Sequence, residues 1–240
     1  MTALWLADLL LIAFIAWVVW ERRLTFGSPF DAPITIGTVL FGAGVVLTSP
    51  WPVVAGFPFP FIGRYFVLIV VGQFCFLAAT GFGIKAVYMR LLPDEATGAF
   101  MRRRIAPLIA VASVALVICF IASSLTVTGP ADRPSFGSLD GWLAASWIVY
   151  FGTLAMLGLI LSYGVARLRR DPRSVMLRIL LPSLVIASLS AVVIGYSVVS
   201  RGNVNVWVAV WLINYVAFIG TAMAFMMQWR RRVRALLPRR

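Results

Sequence analysis

Apolar positions along this chain come in long unbroken runs instead of alternating with polar ones. Seven runs reach or approach the length of a membrane span: 4–20, 34–47, 65–88, 105–127, 142–165, 175–199 and 204–229. A helix needs about 17–25 apolar residues to cross the hydrocarbon core. The second run is the weakest, being short and carrying Gly37, Gly42 and Gly44. Apolar character continues beyond it through Pro50–Phe61, so membrane-associated chain is expected there as well. The pattern predicts an all-α polytopic bundle of seven transmembrane helices. It forms a single domain over 1–229, followed by a short basic tail over 230–240.

Composition agrees. Hydrophobic residues make up 62% of 240 and charged residues 12%, whereas a soluble domain is about half apolar and a quarter charged. The mean hydropathy is +0.97. Net charge is +13, which in a soluble protein would suggest nucleic acid. Beside apolar spans it points first to topology, because Lys and Arg stay on the cytoplasmic side.

Placing the positive charges between the spans gives a lopsided result. Eighteen of the 21 fall on one side: Arg22 and Arg23 after the first span, then Lys85, Arg90 and Arg102–Arg104 around the loop after the third. Arg167, Arg169, Arg170, Arg173 and Arg178 surround the loop after the fifth, and the rest lie in the tail. Arg64, Arg133 and Arg201 fall on the other side. This sets the N-terminus outside and the C-terminus in the cytoplasm. The first span lacks the leading positive charge of a signal peptide and is expected to remain as an anchor. Trp5, Trp20, Trp142, Trp207 and Trp229 bracket spans at headgroup level. The stretch Arg90–Arg104 reads as the longest inner loop, and no connection has room for a soluble output domain.

Candidate chemistry is sparse. The chain has no histidine, which removes His-based triads, metal sites and proton relays. The last span has no lysine for a retinal Schiff base, and no two aspartates lie at matching depth for intramembrane proteolysis. An enzyme is not expected, and neither a cofactor nor a metal is implied. Cys75 and Cys119 read as small buried hydrophobes. The triple arginines Arg102, Arg103, Arg104 and Arg230, Arg231, Arg232 fit contact with anionic lipid or a separate cytosolic partner better than nucleic acid.

Within the spans the notable side chains are uncharged. Gln73 and Asn214 lie near the middles of the third and seventh spans, joined by hydroxyls at Thr80, Ser123, Ser124, Ser188, Ser190, Ser197 and Thr221. They serve either as interhelical hydrogen-bonding glue or as the polar lining of an outward pocket. Asp8 with Arg64 or Arg201 makes a candidate ion pair at the outer mouth. Small residues four apart, including Ala79–Gly83, mark close helix packing. The outer segment "GFPFPFIGR", with Trp51, Phe57, Phe59 and Phe61, reads as an interfacial cap, its prolines reducing unsatisfied backbone donors.

Four stretches carry a resemblance: "GFPFPFIGR" entering the third span, "FMRRRIAPL" entering the fourth, "VMLRILLPS" entering the sixth, and the region of Tyr196 closing the sixth. Together they resemble actinobacterial seven-helix membrane proteins assigned as transporters without proven function. The chain differs from that pattern in Phe59, where the family has Asn, and in having no histidine in the third span. The resemblance implies a bacterial plasma membrane and the seven-helix fold.

Three functional readings follow. One is a non-catalytic ligand-recognition or signal-input module, with Gln73, Asn214, Tyr196, Asp8 and Arg64 as candidate ligand-binding residues. The second is a small-solute transporter. The third is a membrane interaction protein of the immunity or exclusion type.

Overall fold

The computed structural model describes residues 2–28, 31–48, 64–123 and 141–168, with isolated positions between 182 and 223. Side chains are described from Leu9 in the first helix and from Val67 in the third. All regular structure among these residues is helical. Helix α1 is Thr2–Glu21, followed by a 3-10 turn at Arg23–Gly27. Then come α2 (Ala32–Thr48), α3 (Arg64–Tyr88), α4 (Asp94–Phe100), α5 (Ala106–Ala122) and α6 (Gly141–Leu168). The expected spans 175–199 and 204–229 lie largely outside the described residues, as does the cap segment Trp51–Phe61.

Among the described residues, three stretches are long and apolar enough to cross a membrane: Val67–Tyr88, Asp94–Ala122 and Gly141–Leu168. Leu9–Glu21 and Ala32–Thr48 are shorter apolar helices. The surface of α5 is compatible with an apolar solvent. Ala112, Leu116 and Cys119 form its buried stripe. The opposite face carries Val111 and Ile121, each 69% exposed, with Val114 and Ile118 between them. A helix apolar all round belongs in hydrocarbon or in a large core, and a contiguous exposed apolar face marks a membrane or partner contact.

The stretch expected as the longest inner loop is mostly helix. A turn at Leu91–Leu92 ends at Pro93, and helix then runs from Asp94 to Ala122 through a π turn at Met101–Ile105. The Ala106 N–H donates to the Met101 carbonyl, one residue further back than in an α-helix. Pro107 supplies the reason. It has no N–H to offer the Arg103 carbonyl and its ring crowds that carbonyl, so the turn before it widens. The expected fourth span, 105–127, is also shifted. It starts earlier, and its helix stops at Ala122 because Ser123 turns extended (ψ 134°).

The weakest run in sequence packs closely against its neighbour in space. Helix α2 packs on α3 more extensively than any other described pair, and its glycines are the cause. A Cβ at Gly44 would lie 3.1 Å from the Gly72 carbonyl and 3.0 Å from the Phe76 ring. A Cβ at Gly37 would lie 3.1 Å from the Ala79 carbonyl. Two turns separate Gly37 from Gly44, so one bare stripe lets the backbones approach. The expected small-residue pair Ala79–Gly83 takes part in this contact.

Helix ends collect in a consistent way. The end of α1, the start of α2 and the end of α3 meet. Gly164 near the end of α6 packs on Val87 and Tyr88, and Ile105 and Ile109 at the start of α5 approach Gly81. One end of the described bundle therefore gathers Arg22, Arg90, Arg102–Arg104 and Arg167. This is the segregation expected from the distribution of basic residues along the chain.

Candidate functional site

Two polar features stand out in this apolar frame. The first sits at the basic end. Asp31 occupies the position just before α2, where its N–H donates to Ser28 O (3.2 Å) and its carbonyl accepts the Thr35 N–H (3.2 Å). A carboxylate at a helix start is favoured by the helix dipole. Its Oδ1 lies 3.9 Å from Arg22 Nη2 and 3.8 Å from Arg90 Nη2. Arg22 is 2% exposed, and its Nε donates to Thr35 Oγ1 (3.2 Å), which in turn donates to the Asp31 carbonyl (3.2 Å). One carboxylate oxygen thus holds the ends of three helices.

The second feature is Gln73, midway along α3 and 2% exposed. Its Oε1 is buried with no hydrogen-bond partner. It lies one turn after Ile69, which packs with Leu143 of α6, and one turn before the fully buried Leu77. A buried amide oxygen without a donor costs about 1–3 kcal/mol. The hydroxyls of α3 and α6 behave differently. Thr80 donates to Phe76 O (2.9 Å), Ser146 to Leu143 O (2.7 Å) and Ser162 to Gly158 O (2.7 Å), each within its own helix. These hydroxyls are satisfied within their own helices and not by the bonds between helices that the glue reading expected, whereas Gln73 Oε1 has no donor. Ser123 and Ser188 are buried, and Ser188 sits directly against Gly158 of α6.

Of the other candidates, Asn214 and Tyr196 lie outside the described residues, as do Trp51, Phe57, Phe59, Phe61, Arg230, Arg231 and Arg232. Asp8 and Arg64 are helical near the starts of α1 and α3, their side chains outside the description. Arg102, Arg103 and Arg104 are exposed on the π turn. Cys75 and Cys119 are free thiols, the latter buried. Among the described residues no cluster of three or more metal-ligating side chains occurs.

Sequence reasoning assigned Arg22 and Arg90 to topology alone and passed over Asp31. A signal was there. Asp31 is the one acid between Glu21 and Asp94, directly before an apolar run and two residues from Pro33, as at a helix start. Comparison with known proteins adds no relative: no family model, curated protein or solved structure matches the chain.

Proposed function

We propose that the chain is a multi-pass protein of the bacterial plasma membrane, N-terminus outside, acting as a non-catalytic ligand-recognition or signal-input module. The observation that carries the reading is Gln73 Oε1, a buried acceptor without a donor at mid-depth in α3. A small polar ligand offering an N–H or O–H would satisfy it. The same helix ends near Arg90, at the carboxylate shared with α1 and α2. Helix α3 is thus a rigid rod between a recognition group and a latch of long ion pairs, about 25 Å apart at 1.5 Å per residue. The exposed arginines of the π turn, at the same end of the bundle, support contact with a cytosolic partner.

Gln73→Leu tests this reading. A ligand acceptor predicts that the variant unfolds at the same temperature as the parent, or higher, since replacing an unsatisfied polar group by an apolar one is neutral or stabilising. It also predicts that any polar solute raising the parent's Tm no longer raises the variant's. A clear fall in Tm of the ligand-free variant would mean that Gln73 serves as interhelical glue, and the recognition role would be abandoned.

A further inference from the structure

The outer flank of α1 and α2 holds a groove of about 450 Å³. Its walls are two facing stripes, with Ile12, Ala16 and Val19 from α1 and Val39 and Val46 from α2. Ala16, Val39 and Val46 are exposed. Gly42 forms the narrow floor, where a Cβ would meet Ile15 Cγ2 at 2.7 Å.

One end of this apolar groove is cationic. Trp20 and Arg23 line it, and Trp20 is 65% exposed. The Arg23 guanidinium lies 4.3 Å from the centre of the Trp20 ring, and its Nη1 donates to the Trp20 carbonyl (2.9 Å). The guanidinium is therefore already held in place, with one of its five N–H donors used. Along α1 the distance from Ile12 to Arg23 is about 16 Å at 1.5 Å per residue. That is about half of the ~30 Å hydrocarbon core, the depth of one leaflet.

We infer that this groove is a binding site for one anionic phospholipid of the leaflet in which α1 ends. An acyl chain lies between α1 and α2, and a phosphate oxygen accepts from Arg23. Length, apolar lining and charge all match that occupant. A guanidinium fixed on a Trp at headgroup level supplies the planar donor fork that phosphate recognition uses. The inference is independent of the recognition role given to Gln73.

Native mass spectrometry of the full chain, released from nanodiscs of mixed phosphatidylglycerol and phosphatidylcholine, tests it. The parent should retain one phosphatidylglycerol in preference to phosphatidylcholine. Arg23→Gln should lower that preference about fivefold, the equivalent of one basic residue near a lipid surface. Ala16→Trp, which fills the groove from an exposed position, should abolish retention of either lipid. Val39→Trp serves the same purpose if Ala16→Trp does not fold. Arg167→Gln, at the exposed end of α6 and outside the groove lining, should leave retention unchanged. The site is refuted if Arg23→Gln keeps the parent's preference, if the groove-filling variant retains lipid normally, or if Arg167→Gln loses as much as Arg23→Gln.

Discussion

Arg90, two residues past the end of α3, places its Nη2 3.8 Å from Oδ1 of Asp31, the residue that opens α2. Arg22 approaches the same oxygen from the end of α1. The side chains of Asp31 and Arg90 are 13% and 20% exposed, so removal of the shared carboxylate leaves guanidinium charge at a poorly solvated junction. Asp31→Ala is expected to cost about 3 kcal/mol, the lower end for breaking a buried pair. Arg90→Ala alone should cost about 1 kcal/mol, as for a partly exposed pair. In the Asp31→Ala background Arg90→Ala should cost clearly less. Denaturant titration of all four proteins in one detergent gives the coupling energy, and additive effects would show that the two residues do not interact.

The approach of α2 to α3 depends on the absence of side chains at Gly44 and Gly72. A Cβ at Gly72 would sit 2.6 Å from Thr48 Cγ2 and 3.1 Å from the Gly44 carbonyl. The carbonyl cannot rotate away, so Gly72→Val should destabilise by about 1–3 kcal/mol, as overpacking does. Gly98→Ala has open space around its Cβ and should be neutral or slightly stabilising, because Ala is the better helix former. Thermal unfolding of the two variants side by side checks the contrast.

Thr97 is fully buried on α4 and bonds backwards to the chain that α3 leaves behind. Its hydroxyl donates to the Tyr88 carbonyl (3.2 Å), while the Tyr88 ring stacks on Phe100 at 4.4 Å. Thr97→Val keeps the shape and removes the donor. The loss should be about 1 kcal/mol, the usual net worth of one hydrogen bond, read as a lower unfolding midpoint.

The proposed orientation is checked with cysteines at exposed positions of opposite ends. Gly27 follows α1 and Gly141 begins α6, both with open space for a side chain. In a background of Cys75→Ala and Cys119→Ala, a membrane-impermeant maleimide applied to intact cells should label Gly141→Cys. Gly27→Cys should react after lysis alone. The opposite pattern would invert the topology.

The linear chain was enough to determine the all-helical class and to point to an apolar solvent. Long apolar runs and a scarcity of charge leave few alternatives to membrane helices, because every backbone group in lipid must be satisfied within a helix or a closed barrel. The gathering of Arg22, Arg90, Arg102–Arg104 and Arg167 at one end was legible for the same reason, since spacing along alternating spans sets sidedness. What the linear chain left open depended on contacts between distant segments. Gly37 and Gly44 looked like weaknesses in a short span until α3 was seen to need their bare surface. Arg102–Arg104 looked like loop until Pro107 was seen to widen the helix before it without ending it. Asp31 looked like an isolated acid, because its two arginines come from other helices and nothing local in the chain links them. Gln73 was visible as a polar residue at depth. The hydroxyls that bond within their own helices separate it from its neighbours, and that distinction rests on three-dimensional distances.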